Sequence, residues 1–266
     1  MKHTRLISLL IPVLAAGLAG HAADDEQDKL PPHEFTEYWE PVPPVVSAPE
    51  GGIPSDAIVL FDGTDLDEWE MVDERARPWI VADGAMTVAP QEKIGEKRIN
   101  GDIRTKRAFG DCQLHIEFRT PPDDDGKSQG KGNSGVFLMG LYELQVLDSY
   151  QNATYVNGQA GSIYKQHPPL VNASRPAGEW QTYDIIFMAP RFDEEGNLIR
   201  PGRMTALHNG VLVQHFALIY GPTAWRGLPK YHPHPAKLPL MLQDHGDRVS
   251  YRNIWIRELN LPSPEL

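Results

Sequence analysis

The chain has 266 residues, 41% of them hydrophobic and 23% charged, with a formal net charge of −11 at pH 7. That excess of acid excludes the clustered Lys and Arg of a nucleic-acid footprint, and a lone cysteine, Cys112, excludes an intramolecular disulfide framework. Stability must come from a packed core, and the length suits one large β domain.

Residues 1–22 read as a secretory signal. Lys2 and Arg5 precede an apolar run from Leu6 to Ala15, and Gly20-His21-Ala22 supplies small residues at the cleavage position. The run is too short to span a membrane. Its removal takes both positive charges with it and leaves the mature chain at −13. The expectation is a bacterial protein exported to the periplasm or the exterior. Residues 23–55 form an acidic, then proline-rich arm in which Tyr38 and Trp39 are the aromatic exceptions. Such composition favours extended backbone without a core of its own. The main domain is expected over residues 56–266.

From Ala57 onward the punctuation is that of an all-β protein. Ile58 to Phe61 is a short apolar strand. Trp79 to Ala82 and Met86 to Val88 flank Asp83-Gly84, a two-residue hairpin signal. Ile103 to Phe109 and Cys112 to Thr120 follow, the latter alternating Leu114, Ile116 and Phe118 against His115, Glu117 and Arg119. Beyond a Gly-rich loop lies the stretch Asn133 to Tyr150, read as a polar turn (Asn133-Ser134-Gly135), an apolar run and an alternating strand from Tyr142 to Val146. Trp180 to Phe187 is another strand. Arg203 to His208 and Val211 to Phe216 flank Asn209-Gly210, the strongest hairpin signal in the chain, and Arg252 to Leu259 is the last strand. Near Leu66–Trp69 the pattern allows a helical turn. About a dozen strands separated by turns predict two packed antiparallel sheets.

Strand alternation puts Glu143 and Gln145 on one face and Leu144 and Val146 on the other. Asp148 falls on the apolar face unless a β-bulge returns it to the polar row. A Glu-x-x-x-x-Asp pair on such a strand can bracket a sugar, because glycoside hydrolysis by the common routes uses two carboxyl groups. The strand resembles the Glu-x-Asp-x-x-Glu motif of jelly-roll glucanases, but with an amide, Gln145, at the middle position. A half-exposed strand with a solvated polar face explains the same alternation. The loop Gln243-Asp244-His245-Gly246 carries more polar groups than a turn needs and can bind a cation, bind hydroxyls or hold an acid/base histidine. His232 and His234 lack a third ligand and read as loop, as does Asp123-Asp124-Asp125 without an EF-hand pattern. Trp69, Trp79, Trp180 and Trp255 read as core, while Trp39 and Trp225 lie in loops and suit stacking on a sugar face. Arg104 suits an anionic or carbonyl oxygen, or an ordinary surface ion pair.

Several ordered motifs resemble the 3-keto-disaccharide hydrolase domain family. They are Leu60-Phe-Asp-Gly-Thr-Asp-Leu-Asp-Glu-Trp69, Trp79-x-Val-x-Asp-Gly-x-x-Thr-Val88, Asn133-Ser-Gly-Val-Phe137 and Tyr142-Glu-Leu-Gln-Val-Leu-Asp-Ser-Tyr150. Gly178-Glu-Trp-Gln-Thr-Tyr183, Leu207-His-Asn-Gly-Val211 and Gln243-Asp-His-Gly246 with Arg252-Asn-Ile254 complete the set, so the resemblance spans roughly residues 57–259. It implies a concanavalin A-like jelly-roll β-sandwich and an enzyme acting on glycosides oxidised to a ketone at sugar carbon 3. A 3-keto group acidifies the proton on carbon 2, so the bond can break by elimination followed by hydration. On this reading Glu143 or His245 is the base, and Arg104 or a bound divalent cation stabilises the enolate. Asp148 and Gln145 position hydroxyls, Asp244 orients His245, and Asn133, Ser134, Tyr142, Gln243 and Trp225 contact the sugar. No cofactor beyond that optional cation is expected, the partner is a carbohydrate, and the oligomeric state stays open. The alternatives are a lectin-like binding module and a conventional glucanase-like hydrolase.

Overall fold

A computed structural model describes residues 31–260; the stretch expected to be a secretory signal, the acidic start of the arm and the last six residues lie outside them. The chain divides into two compact units, one ending at Val45 and one beginning at Val46. In the first, the described residues hold a single 3-10 turn, His33–Thr36, and leave Phe35, Tyr38 and Trp39 exposed.

The described residues of the second unit form seventeen strands. In chain order they begin β1 (Ile58–Phe61), β2 (Trp69–Met71), β3 (Ile80–Ala82), β4 (Ala85–Thr87), β5 (Lys93–Ile94) and β6 (Lys97–Arg98). Next come β7 (Ile103–Phe109), β8 (Cys112–Arg119), β9 (Ser134–Leu138), β10 (Tyr142–Val146), β11 (Gln181–Met188) and β12 (Arg191–Phe192). The chain ends with β13 (Leu198–Arg200), β14 (Arg203–His208), β15 (Val211–Leu218), β16 (Leu238–Leu242) and β17 (Ser250–Glu258). Eight strands form one antiparallel sheet in the order β15-β14-β11-β8-β17-β4-β3, with β1 on β17. Five form the other, β10-β9-β16-β7-β2, and β5-β6 and β12-β13 are separate hairpins. The two sheets pack face to face as a β-sandwich. Tyr142 of the smaller sheet meets Phe187 of the larger at 5.8 Å between ring centroids, Tyr183 Oη donates to the Gln145 carbonyl and Tyr251 Oη to Ser134 Oγ. Alternation does the sorting: Leu114, Ile116 and Phe118 are wholly buried while Gln113, His115 and Glu117 between them are half-buried on the outer face.

Both hairpin signals form as expected, with positive φ at Asp83-Gly84 and at Asn209-Gly210, the geometry of a type I′ turn. Other expectations need correction. The stretch from Asn133 is a hairpin: Ser134 and Gly135 already belong to β9, and the turn is Met139-Gly140, both at positive φ. The turn at Leu66–Trp69 does form, closed by the hydrogen bond from Trp69 N to the Leu66 carbonyl at 2.8 Å, and Trp69 then opens β2 on β7. Strand β16 carries Pro239, which hides it from propensity, and the register slips between Pro239 and Met241 to accommodate it. Trp69 and Trp79 are core, each donating its indole N–H to a carbonyl (Leu60 and Gly101), and Trp255 is buried as well, paired with His115; Trp180 is the exception. Trp180 is half-buried between the guanidinium groups of Arg119 and Arg252, at 4.7 and 4.1 Å from its ring, and Trp255 stacks on His115.

Candidate active site

Antiparallel pairing aligns side chains across the outer face of the smaller sheet. Glu143 is opposite Phe137, Phe137 opposite Met241, Met241 opposite Arg104 and Arg104 opposite Glu70. Paired residues point to the same side, so these five form one row, and Gln145, Gly135 and Gln243 begin the next. The end of this face nearest β10 is closed over by two loops, which is why every residue of β9 and β10 is buried despite their alternation. The loop 155–167 runs beside β10, with Tyr164 N donating to the Glu143 carbonyl and Gln145 N to Ser162. The second loop brings Thr223, whose Oγ1 accepts the Glu143 N–H at 3.0 Å.

Between loops and sheet lies a cavity of about 360 Å³. Glu143, Gln145 and Phe137 line its floor, Asn133, Gln243 and His245 one side, and Tyr164, Thr223 and Trp225 the other. The floor depends on a glycine at 135: a Cβ there would stand 2.7 Å from both Glu143 Oε1 and the Phe137 ring. Glu143 is 4% exposed, and burial, with the charge of Asp102 adding to it, raises its carboxyl from the ordinary 4.5 to about 8. The Gln145 amide can take either orientation, and its neighbours decide which. In one its nitrogen donates to Gln129 Oε1 at 3.1 Å; in the other it donates to Glu143 Oε1 at 2.8 Å and to the Ser134 carbonyl at 3.0 Å. The second suits an ionised Glu143 and the first presents a carbonyl to a protonated one. An amide can serve both states, whereas a second carboxylate at 145 would repel the first.

The loop after β16 is fixed from behind. Arg98 donates to both carboxylate oxygens of Asp244 (3.0 and 2.6 Å) and to its carbonyl, and Asp102 Oδ1 accepts the Asp244 N–H. Gly101 leaves the room for this, since a Cβ there would fall 2.0 Å from Asp244 Oδ2. Burial holds the Asp244 carboxyl above the usual range even against Arg98, and burial likewise raises Asp102. His245, the next residue in the chain, is exposed at the cavity. Asn133 is anchored by its N–H to Asp247 Oδ2 and by its side-chain amide to the Gln129 carbonyl.

Of the expected site residues, the fold thus gathers Glu143, Gln145, Asn133, Gln243, His245 and Trp225 around one cavity. The others stand elsewhere. Asp244 spends its carboxylate on Arg98 and Gly246 N, so it shapes the loop and does not hold the His245 ring. Asp148 is not returned to the row: β10 pairs with β9 without a bulge, and Asp148 lies past its end, 2% exposed, with Oδ2 3.0 Å from Lys131 Nζ. Ser134 and Tyr142 face the interior, Ser134 between Tyr251 and the Gln243 carbonyl, Tyr142 against His234 Nε2 at 2.6 Å. Arg104 shares the row but sits three strands from Glu143, about 14 Å at the usual strand spacing, and pairs with Glu70 at 2.8 Å. Sequence reasoning missed Tyr164, Thr223 and Asp102, which lie in loops or at a strand end where no periodicity marks them. Asp124 caps Gly126 and Gly132, as befits a loop. For a divalent cation the cavity offers one carboxylate, one imidazole and three amides, and among the described residues no group of three His, Cys, Asp or Glu could hold a metal. The donor set does not fit a protein-held ion, and no step below uses one.

Residues 56–257 match the family described as 3-keto-alpha-glucoside-1,2-lyase-like domain. A crystal structure of a candidate glycosyl hydrolase from Parabacteroides distasonis ATCC 8503 is 50% identical, with a TM-score of 0.77 over 86% of this chain and 97% of that one. A second such structure from the same organism, 18% identical with a TM-score of 0.55 over 77% of this chain and 94% of that one, shares the fold. A 3-keto-disaccharide hydrolase of Bacteroides thetaiotaomicron is 24% identical over 78% of this chain and 81% of its own length. With the family match covering the whole sandwich and the cavity, the chain belongs to the 3-keto-alpha-glucoside-1,2-lyase-like domain family, a glycosyl hydrolase-like member of it.

Proposed function

We propose that this protein is an exported enzyme that breaks the glycosidic bond of 3-keto-glycosides by elimination and then hydration. The observation that carries this reading is Glu143, a buried carboxylate at the cavity floor whose pKa is lifted to about 8, beside an amide where a second carboxylate would stand. A strong, desolvated carboxylate is suited to taking a proton from carbon, and its pKa lies near a neutral working pH. An ordinary glycosidase needs two carboxyl groups across the bond, and the cavity lining offers one.

In the proposed sequence ionised Glu143 removes the proton from carbon 2, and the electron pair moves onto the carbon 3 oxygen as an enolate. Collapse of the enolate expels the oxygen on carbon 1, giving a 1,2-unsaturated ketone and the released alcohol. Water then adds across the double bond. His245, exposed at the cavity, supplies the proton to the leaving oxygen or a hydrogen bond to the enolate. Asn133 and Gln243 hold hydroxyls. The positively charged, apolar start of the sequence supports export, and the acidic mature surface is compatible with it.

The test is incubation with a disaccharide and its 3-keto form in deuterated buffer. Release of the leaving sugar from the keto form alone, with deuterium entering at carbon 2, is expected. Glu143→Gln should lower kcat/KM by about 10²- to 10⁴-fold, the usual worth of a positioned acid or base. Equal cleavage of the unoxidised sugar would overturn the elimination route, and binding of both sugars without turnover would make the protein a lectin-like module.

A further inference from the structure

A cavity of about 360 Å³ is at the small end of ligand pockets, which run from roughly 300 to 1,000 Å³. It suits one sugar ring, so a second ring must leave it across the rim. The rim beside Tyr164 and Trp225 is built for something. Trp225 is 67% exposed, and one face of its indole carries the Arg226 guanidinium at 4.3 Å. Tyr164 Oη and Tyr155 Oη are 2.6 Å apart, with ring planes at 60°. Lys165 joins the two sides. Its Nζ lies 5.7 and 5.6 Å from the Tyr155 and Tyr164 rings and donates to the Trp225 carbonyl at 2.6 Å. To reach them its backbone adopts φ +57°, a left-handed conformation that an L residue rarely holds without support. Here that support includes a hydrogen bond from Lys165 N to the Asn157 carbonyl.

Both loops are pinned to the base itself. Tyr164 N donates to the Glu143 carbonyl, and Thr223 Oγ1 accepts the Glu143 N–H. The aromatic rim is therefore held at a fixed offset from the carboxylate that would take the proton. A leaving group departs from the carbon next to the one deprotonated, so it lies one bond from that carboxylate's reach.

Resting on the elimination reading above, we propose that Tyr164 and Trp225, braced by Lys165, form the leaving-group subsite and receive the second pyranose ring of a disaccharide. Apolar C–H faces of sugar rings stack on exposed aromatic faces, and the Tyr155–Tyr164 hydroxyl pair offers a hydroxyl partner beside them. Lys165 is a positioning residue in this scheme. It fixes the two loops relative to one another and touches no reacting atom.

The selectivity of the enzyme reads this out. Compared on a 3-keto-disaccharide and on methyl 3-keto-glucoside, which share the reacting ring, Trp225→Ala should lower the kcat/KM ratio (disaccharide over methyl glycoside) about tenfold, chiefly through KM. Lys165→Met should do the same and Lys165→Arg should restore most of it. A ratio unchanged in Trp225→Ala and Lys165→Met overturns the proposal, since either the residues serve the reacting ring or they serve only the fold. Titration of the wild type and Trp225→Ala with maltose and cellobiose, followed by calorimetry, separates the two levels of the argument. Binding weakened in the variant without turnover of any keto sugar by the wild type would leave the subsite standing and remove the elimination reading. Disaccharide binding equal in both proteins, or absent in both, would remove the subsite.

Discussion

Glu143 has a measurable signature apart from catalysis. Its folded-state pKa of about 8 stands above the ordinary 4.5 of an unfolded chain. Between those values the folded protein holds a proton that the unfolded chain has released, so stability falls as pH rises. The contribution is fully present below about pH 4.5 and is lost as pH passes through 8. The slope for one such group is at most about 1.4 kcal/mol per pH unit. Glu143→Gln, which keeps the shape without the charge, should melt close to wild type at pH 4.5 and above it at pH 8. A difference in melting temperature that ignores pH would show that Glu143 ionises normally. Activity should run the opposite way, since only the ionised base accepts a proton: kcat/KM climbs with pH toward a plateau above about 8.

At the scale of elements, the cavity is made by loops laid on a regular sheet, and each loop is tied by a buried polar group. The tie behind His245 is the pair Arg98–Asp244, in which the Asp244 side chain is wholly buried. Removing one partner of such a pair leaves an uncompensated charge and costs about 3–5 kcal/mol, and burial already raises Asp244, so part of that cost is met by protonation. Arg98→Met should lower stability by a few kcal/mol in denaturant unfolding and loosen the 243–247 loop, seen as faster amide exchange there. An unchanged midpoint would mean that solvent reaches Asp244. Arg104 makes the contrast: its pair with Glu70 is half-exposed, and surface pairs of that kind contribute about 0–1 kcal/mol.

For the molecule as a whole, the buried core among the described residues runs from Leu60 to Ile256, with Ile58 packed against it, and the sandwich unit begins at Val46. No helix of the described residues is long and apolar enough to cross a membrane. A chain starting at Val46 should therefore fold and unfold in one cooperative transition with a midpoint within a few degrees of the full chain. Loss of that transition would mean that the proline-rich arm supplies part of the fold. The same pair of proteins tests the exposed Tyr38 and Trp39: if the arm takes no part in the proposed reaction, kcat/KM is shared by both.

By itself the sequence determined the two-sheet architecture, because alternation of apolar and polar residues is a local property that any strand displays. It also determined both hairpins, since Asp-Gly and Asn-Gly accept positive φ with little cost. It placed Glu143 and Gln145 on one face, and the ordered motifs identified the family. Only the tertiary structure decided which polar residues meet. Asp148 leaves the row because no bulge forms, and Asp244 turns to Arg98 because that guanidinium arrives from 146 residues away. Tyr164 and Thr223 join because two loops happen to close over β10. Burial of Glu143, and with it the shifted pKa, is likewise a property of those loops: a strand fixes which way a side chain points, but the chain that covers it comes from elsewhere in the sequence.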